Sequence, residues 1–356
     1  MTPLAAEIAA LIRQNGPIGI DRYMALCLGH PVHGYYRTRD PLGARGDFTT
    51  APEISQMFGE LIGAWAAYLH GLMGRPDPLV LIELGPGRGT LMADALRALR
   101  AAAPGFRVVP HLVETSPVLR ALQERALAGT GAVWHDDPES LPDGPALILA
   151  NEFFDCLPVV QFVRGPAGWH ARQVGLDAQG ALTFGLAPEP TPGLDAEGPE
   201  GALLSVPRAG LALVRDLAQR VRTANGALLI LDYGHARPGF GDTLQAMARH
   251  GFADPLAAPG DADLTHHVDF AALAQAASAV GAKVHGPVDQ GDFLLSLGLR
   301  QRAERLKARA TAAQAVAIDA AVARLTDTGR TGMGSLFKVL AVSGPDLGPL
   351  PGFPDP

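Results

Sequence analysis

An acidic residue followed by three closely spaced glycines is the first group in this sequence that could do chemistry. The stretch LVLIELGPGRGTL, residues 79–91, places Glu83 near the end of an apolar run, and Gly85, Gly87 and Gly89 follow it. Glycines let a ligand approach the backbone because no side chain intervenes. The stretch therefore predicts a ligand-binding loop, with a plain strand-to-helix turn as the alternative.

The spacing of these glycines disfavours two common phosphate-binding loops. A dinucleotide-binding loop has the pattern GxGxxG and a P-loop requires a lysine, whereas this loop is GxGxG and has none. The next acid at a strand end is Glu114, 31 residues after Glu83. This arrangement suits S-adenosylmethionine, which carries an ammonium, a carboxylate, a sulfonium and a ribose but no phosphate.

Each polar residue of this arrangement has an expected contact with that ligand. Glu83 is expected to orient the loop or hold the ammonium, and Glu114 to accept the two ribose hydroxyls. Asp136 is placed at the adenine edge, although the sequence Asp136–Pro138 is also typical of a turn. Backbone groups of the loop are expected to approach the methionyl part, and the residues concerned are Gly85, Pro86, Gly87 and Gly89.

From residue 78 onward, short apolar runs alternate with amphipathic segments. LVLIEL, RVVPHLVE, PALILANEFFD and GALLILDYG are predicted strands. TLMADALRALRAA and SPVLRALQERAL are predicted helices, the second with Ser116 as its N-cap. This alternation predicts a parallel sheet with helices on both faces. Such sheets bind ligands at the carboxyl ends of their strands.

The remaining segments suggest how the chain is organised. Residues 1–75 are predicted to form a helical N-terminal region with a loop that covers the cofactor, and residues 76–345 to form the core. Residues 158–206 and 234–266 are expected to be α+β insertions that build the acceptor cleft. The Pro/Gly-rich tail, residues 346–356, is predicted to be extended or mobile.

Composition narrows the class of protein. A chain of 356 residues with 47% apolar and 18% charged residues can bury a large core. A net charge of -7 without a dense Lys/Arg cluster argues against a nucleic-acid binder. The two cysteines, Cys27 and Cys156, form no zinc-binding pattern, so no metal is expected. Without a signal peptide or a bilayer-length apolar run, we expect a cytoplasmic protein that does not insert into membranes.

Seven stretches of the sequence together resemble the MidA-like class I methyltransferases. In chain order they are GDFTTAPEISQMFGE (46–60), IELGPGRGTL (82–91), NEFFDCLPVVQF (151–162), LDYG (231–234), GDTLQAMARH (241–250), DADLTHHVDF (261–270) and MGSLFKVL (333–340). The resemblance implies a Rossmann-like seven-stranded sheet and S-adenosylmethionine as cofactor. One family member is a mitochondrial complex I assembly factor that methylates an arginine of a core subunit. The resemblance therefore also implies a protein-arginine substrate and a respiratory complex subunit as partner.

The stretch NEFFD follows a strand at the place where many methyltransferases contact the methyl acceptor. Asn151, Glu152 and Asp155 are therefore predicted catalytic residues. A carboxylate pair can hold an always-charged guanidinium and polarise one of its nitrogens, although acids also cap helix N-termini. In DLTHHVDF, His266 or His267 is a candidate base for the proton left after transfer, with a structural role as the alternative.

Two further stretches supply candidate contacts. GDFTTAPE is predicted to start a helix and to act as a lid, with Asp47, Thr50 and Gln56 touching the cofactor. GFGDTLQA is expected to line the substrate side, with Asp242 and Gln245 as contacts.

The sequence favours a methyltransferase acting on a protein arginine but leaves other functions open. A small-molecule O- or N-methyltransferase has the same donor loop. An assembly chaperone that binds S-adenosylmethionine would also have it. A dehydrogenase is a more distant alternative. The oligomeric state is left open.

Overall fold

The computed structural model describes residues 2–43, 46–102, 105–329 and 332–354. The chain folds into two units, each built from three separate stretches of sequence. Unit 1 comprises Met1–Phe48, Asp155–Ala212 and Arg237–Asp269. Unit 2 comprises Thr49–Phe154, Leu213–Ala236 and Phe270–Pro356.

The helices of the described chain are α1 (Pro3–Asn15), α2 (Ile20–Gly29), α3 (Tyr35–Thr38), α4 (Ala51–Ile54), α5 (Gln56–Leu72), α6 (Thr90–Ala102), α7 (Pro117–Ala126), α8 (Arg208–Ala224), α9 (Phe270–Ala279), α10 (Gln290–Ser296), α11 (Leu299–Lys307) and α12 (Ala312–Thr326). The strands are β1 (Ile18–Gly19), β2 (Leu79–Leu84), β3 (Val108–Val113), β4 (Val133–His135), β5 (Ala146–Asn151), β6 (Val160–Gly165), β7 (Gly168–Leu176), β8 (Leu182–Pro190), β9 (Leu203–Val206), β10 (Ala227–His235), β11 (Gln245–Ala248), β12 (Gly251–Ala253), β13 (Asp263–Thr265), β14 (Val268–Asp269), β15 (Lys283–Asp289) and β16 (Phe337–Ser343).

The sheet of unit 2 has the strand order β15-β16-β10-β5-β2-β3-β4. Strands β10, β5, β2, β3 and β4 run parallel, whereas β16 is antiparallel to both of its neighbours. Strands covered on both faces have continuous apolar sequences, and β5 is buried at every position. The predicted Rossmann-like α/β fold with a seven-stranded sheet is confirmed.

Local signals fix where the helices of both units begin. Ser116 caps α7 as predicted, since its hydroxyl accepts a hydrogen bond from the Leu119 N–H at 3.3 Å. Thr2 caps α1 in the same way through the Ala5 N–H, at 3.1 Å. Each cap satisfies a backbone donor that the helix itself leaves unpaired.

Unit 1 is built mainly from antiparallel strands and the first helices. Strands β1, β7, β6 and β9 form a sheet in that order, with β8 also paired to β7. Strands β12, β11 and β13 form a second, smaller sheet. The antiparallel strands expected within residues 158–206 are therefore present. The buried apolar face of α1, formed by Leu4, Ile8 and Ile12, belongs to the core of this unit.

The C-terminal tail corrects the prediction of a mobile segment. Leu347 and Leu350 are 1% and 2% exposed and belong to the core of unit 2. The Trp65 indole N–H donates to the Pro351 carbonyl at 3.1 Å. The Pro/Gly-rich composition suggested mobility, but its apolar residues anchor the tail by burial.

In the part of the chain that the structure describes, the helices are too short or too polar to cross a bilayer.

Candidate active site

The glycine loop after β2, Gly85–Gly89, is termed the donor loop. Its three glycines have φ angles of 60°, 54° and 81°, the left-handed region that glycine tolerates best. The Gly85 N–H donates to the Val113 carbonyl at 3.0 Å. A Cβ added to Gly85 would lie 2.7 Å from the Phe153 ring. Both the backbone angle and close packing therefore require glycine at position 85.

Glu83 lies under this loop, at the next-to-last position of β2, and is only 3% exposed. Burial raises the pKa of its carboxyl to about 8, against a lowering effect of the Met92 N–H, which donates to it. Among the described residues, its Oε2 atom has no hydrogen-bond partner. A buried acceptor in this state requires a donor to be satisfied. The ammonium of S-adenosylmethionine would fit this requirement.

Glu114 follows β3 and is 8% exposed. Its Oε1 accepts the Ser116 N–H at 2.7 Å, and its Oε2 accepts the Gln123 amide at 2.9 Å. Burial raises the pKa of this carboxyl, although these hydrogen bonds oppose the rise. Its two oxygens are thus held in place at the carboxyl end of a strand, as a ribose-binding acid requires.

Gln123 is a site residue that the sequence reasoning missed. Its Nε2 donates to the Gly87 carbonyl at 2.7 Å as well as to Glu114, and its Oε1 accepts the Trp134 indole N–H at 2.9 Å. It therefore ties the donor loop to the ribose acid. Its position four residues after Leu119, on the buried face of α7, was the signal that could have revealed it.

The predicted adenine contact, Asp136, lies on the surface in an ion pair with Arg120, at 2.9 Å. Its side chain is 80% exposed. The neighbouring Asp137 accepts the Ser140 N–H at 2.9 Å and caps a short turn, as the sequence alternative suggested. Contact between Asp136 and adenine stays a prediction.

The segment Thr50–Gln56, termed the strap, holds the donor loop in place. Glu53 accepts hydrogen bonds from the Thr90 hydroxyl at 2.5 Å and from Arg88 at 3.4 Å. The Thr50 side chain makes no capping bond to α4, and Ser55 rather than Gln56 caps α5. Sequence reasoning missed Glu53, although it lies within the GDFTTAPE motif. The predicted cofactor contacts of Thr50 and Gln56 stay predictions.

The NEFFD stretch leaves the sheet at Asn151, the last residue of β5. Glu152 adopts a left-handed φ of 49°. The N–H groups of Phe153 and Phe154 both donate to Asp232 Oδ2, at 3.1 and 2.9 Å. Asp232 is fully buried in β10 and was missed, although an acid ending an apolar strand also marked Glu83.

The Glu152 carboxyl turns toward the strap. Its Oε1 accepts the Ala51 N–H at 3.0 Å and the Asn151 amide Nδ2–H at 3.2 Å. Burial raises the pKa of Glu152 to about 7, against the lowering effect of these hydrogen bonds and of Arg324. Within the described residues, Asn151 Oδ1 is buried without a hydrogen-bond partner.

Other predicted catalytic residues lie in unit 1. Asp155 accepts a hydrogen bond from the Cys156 thiol at 3.1 Å, and its carbonyl accepts the His266 N–H at 3.0 Å. The Tyr36 hydroxyl lies 3.2 Å from the Cys156 sulfur and donates to Asp263 at 2.9 Å. The structure thus brings Asp155 and His266 together through the backbone, and their catalytic roles stay predictions.

The remaining predicted contacts have structural partners within unit 1. Asp47 accepts the Tyr35 hydroxyl and the Arg249 N–H, each at 2.6 Å. Asp242 pairs with Arg172 at 2.8 Å. Gln245 begins β11 and is paired with Thr265 of β13. Roles for these three residues toward ligand stay predictions.

This sheet order, with an acid and a glycine loop after β2 and a second acid after β3, defines the Rossmann-like class of S-adenosylmethionine-dependent enzymes. Residues 61–288 match the family described as S-adenosyl-L-methionine-dependent methyltransferases, and the chain belongs to that family. It is a methyltransferase that uses S-adenosylmethionine.

Named relatives and one solved structure are similar over most of the chain. The mitochondrial protein arginine methyltransferase NDUFAF7 of Mus musculus is 38% identical, covering 85% of this chain and 76% of its own length. Its Drosophila melanogaster homolog is 37% identical, covering 95% of this chain and 84% of its own length. A methyl transferase candidate from Burkholderia thailandensis, solved with S-adenosyl-homocysteine, is 29% identical with a TM-score of 0.84, covering 98% of this chain and 93% of that one.

These relatives correct one expectation from the sequence. We expected a cytoplasmic protein, but both arginine methyltransferases are labelled mitochondrial. The expectation rested on the absence of a signal peptide and of an apolar span, and these features do not distinguish the two compartments.

Proposed function

We propose that this enzyme transfers the methyl group of S-adenosylmethionine to a guanidino nitrogen of an arginine in a protein. The observation that carries the proposal is the pair Asn151 and Glu152 at the end of β5, beside the donor loop. These side chains offer hydrogen-bond acceptors at a buried position. The names of the relatives, which are arginine methyltransferases, support the same acceptor.

The residues of unit 2 fit the cofactor. When bound, S-adenosylmethionine supplies an electrophilic methyl group on a sulfonium. Glu83 would hold its ammonium, Glu114 its ribose hydroxyls, and the donor loop its methionyl backbone. Glu53 and Gln123 would keep the donor loop in shape through their contacts with Thr90 and Gly87.

Methyl transfer requires positioning of the nucleophile more than chemical activation by the protein. The acceptor nitrogen would form a bond to the methyl carbon as the carbon–sulfur bond breaks and S-adenosylhomocysteine leaves, and the nitrogen would then release one proton to water. Orientation of the reacting groups can contribute roughly 7–11 kcal/mol to such a step. An arginine side chain is always charged and planar, so fixed acceptors on its N–H groups orient it. We further propose a respiratory complex subunit as the protein substrate, on the family resemblance alone.

The test uses a lysate from a strain that lacks this gene. Purified enzyme and S-adenosylmethionine with a labelled methyl group are added, and mass spectrometry locates the label. We expect methylarginine in one or a few proteins. The Gly85→Ala variant, in which the donor loop is blocked, serves as the inactive control. Label confined to low-mass products would overturn the protein substrate, and label on another residue type would overturn arginine.

A further inference from the structure

Two buried oxygens without partners lie on neighbouring strands of the unit 2 sheet. Glu83 of β2 is paired with Leu149 of β5, and Asn151 lies two positions further along the same strand. Side chains alternate between the faces of a sheet, so Glu83 and Asn151 point to the same face. Among the described residues, neither Glu83 Oε2 nor Asn151 Oδ1 has a hydrogen-bond partner.

The cofactor carries one cationic hydrogen-bond donor, its ammonium, that could satisfy one of these two oxygens. Its ammonium would be held by Glu83, because that carboxyl lies directly under the donor loop. Asn151 is the last residue of β5, and it directly follows Ala150, which is paired with Leu84 at the end of β2. Its oxygen therefore remains for a second donor, and the methyl acceptor is the other molecule that must come to this loop.

The orientation of the Asn151 amide is set by Glu152. An ionised carboxylate only accepts hydrogen bonds, so the Asn151 Nδ2–H group must face Glu152 Oε1, at 3.2 Å. The oxygen of the same amide must then face away from Glu152. The Ala51 N–H holds Glu152 Oε1 from the other side at 3.0 Å. The strap, Glu152 and Asn151 are thus linked by hydrogen bonds, and this chain of bonds fixes the direction in which Asn151 Oδ1 points.

We propose that Asn151 is a catalytic residue whose amide oxygen accepts an N–H of the methyl acceptor, and that Glu152 is a positioning residue that orients this amide. The inference rests on the proposed function and deepens it. It replaces the expected carboxylate clamp by a neutral acceptor. The site therefore selects acceptors whose nucleophilic atom carries a hydrogen, such as a guanidinium, an amine or an amide nitrogen.

Phe153 completes the arrangement on the donor-loop side. Its ring rests against Gly85 closely enough that a Cβ there would lie 2.7 Å from Cδ2. The ring is held by the Phe153 and Phe154 N–H groups, which both bond to Asp232. The Phe153 ring is therefore fixed beside the donor loop.

The arrangement has a consequence for pH dependence. The charged and polar groups that act on Glu152 are the Ala51 N–H of α4, the Asn151 amide and Arg324 of α12. Once Glu152 is protonated, it can donate to Asn151 Oδ1, and the amide then turns its N–H group toward the acceptor. Methyl transfer should therefore fall as the pH decreases through about 7, the pKa of Glu152.

The test compares variants at the two positions, using proteins of the deletion-strain lysate as the probe and S-adenosylmethionine with a labelled methyl group. Asn151→Ala should lower kcat by about 10²-fold, the usual effect of losing one preorganised hydrogen bond, with donor affinity by calorimetry changed less than about threefold. Glu152→Gln keeps an amide oxygen for Ala51 and Asn151. Its amide nitrogen can also donate to Asn151 Oδ1, as protonated Glu152 does, so kcat at pH 8 should fall toward the low-pH level of the wild type and the acidic limb of the pH profile should disappear.

Gln290→Ala is the matched control. Gln290 is also a fully buried amide of unit 2 whose oxygen has no partner among the described residues. Its loss should lower stability and leave the kcat of the folded protein unchanged. Wild-type kcat in Asn151→Ala, or an acidic limb of kcat that persists in Glu152→Gln at saturating S-adenosylmethionine, overturns the inference. Mass spectrometry of the product keeps the two proposals apart, since methylation of another nitrogen-bearing residue overturns only the arginine substrate.

A second measurement does not depend on turnover. Crystals grown with S-adenosylhomocysteine and soaked in guanidinium chloride should show the cation within about 2.9 Å of Asn151 Oδ1. Soaked crystals of Asn151→Ala should show no cation at this position. A wild-type crystal with no cation at Asn151, or with one bound only elsewhere, overturns the inference.

Discussion

At the scale of single residues, Glu83 should link binding of the cofactor to release of a proton. Its carboxyl is buried, and its pKa of about 8 means that it is mostly protonated at pH 7 in the free enzyme. The ordinary value is about 4.5. The folded chain therefore binds an extra proton between these values, and the stability that this proton contributes is lost as the pH rises through 8.

Binding of the donor should release that proton. An ammonium beside Glu83 favours the ionised carboxylate, so close to one proton should leave the enzyme per cofactor bound at pH 7. Calorimetry in two buffers with different ionisation enthalpies measures this number. Glu83→Gln should bind more weakly and release none, whereas Glu124→Gln, an exposed carboxyl in α7, should behave like wild type. Equal proton release by Glu83→Gln and wild type would contradict the assignment.

Gly85 is the most restrictive glycine of the donor loop. Gly85→Ala adds a left-handed backbone penalty on the order of 1–2 kcal/mol and drives a methyl group into Phe153. We expect donor affinity to fall by at least tenfold in calorimetry. Gly129→Ala is the control, because Gly129 has a φ of 75° and open space around its Cα. Gly129→Ala should lower stability but leave donor affinity unchanged. A loss of donor affinity in Gly129→Ala similar to that in Gly85→Ala would contradict this prediction.

The residues found from sequence differ in kind from those found only in the structure. Glu83 and Glu114 lie where apolar strands end. In a parallel sheet the carboxyl ends of the strands lie together, so the sequence is enough to place both acids there. Glu53 and Gln123 act through contacts between elements distant in sequence, so spacing alone could not reveal them. The left-handed φ of Glu152 has no sequence signal either, because left-handed residues are usually glycine or asparagine.

At the scale of elements, a carboxylate shared by two arginines joins three helices of unit 2. Glu60 of α5 accepts hydrogen bonds from Arg97 of α6 at 2.9 Å and from Arg302 of α11 at 2.7 Å. Burial opposes ionisation of Glu60, but the two arginines outweigh it and lower the pKa. The stability from this network is present at neutral pH and lost as the pH falls through the depressed pKa.

Glu60→Ala should destabilise the protein by about 1–3 kcal/mol, because two partly buried arginines lose their shared acceptor. Urea unfolding at pH 7 measures the change. The destabilisation should shrink at acidic pH, because lowering the pH through the depressed pKa of Glu60 removes its charge. Glu124→Ala, an exposed change of the same chemistry, should have little effect. A loss that is equal at both pH values would contradict an ionic origin.

The elements were predictable to different degrees. Strands β2, β5 and β10 were found because buried parallel strands are continuous apolar runs. The antiparallel pair β15 and β16 was not placed, since KVHGPVD carries polar residues and a proline at its bulge. The start of α4 was predicted from the GDFTTAPE stretch, but this four-residue helix is too short for a periodic signal to give its length. Its position is set by contacts with other segments. Glu152 accepts the Ala51 N–H, and Glu53 accepts hydrogen bonds from Arg88 and Thr90.

At the scale of the whole molecule, the C-terminal tail is part of the fold of unit 2. Leu347 and Leu350 lie in its core, and Phe353 packs against Phe293 with ring centroids 5.4 Å apart. Truncation after Gly344 should therefore lower Tm by well over 10 °C, since each buried leucine alone is worth about 2–5 kcal/mol. Scanning calorimetry measures this. Truncation after Pro354 is the control, and an unchanged Tm in the longer deletion would contradict the packing role.

The assembly of unit 1 from three separate stretches has a consequence for synthesis on the ribosome. The core that buries Leu4, Ile8 and Met24 also requires Leu264, more than two hundred residues later. At about 5–20 residues per second, the apolar faces of α1 and α2 wait roughly 12–52 s for their partners. During that interval the apolar faces of α1 and α2 stay exposed, and exposed apolar surface of this kind is what chaperones bind.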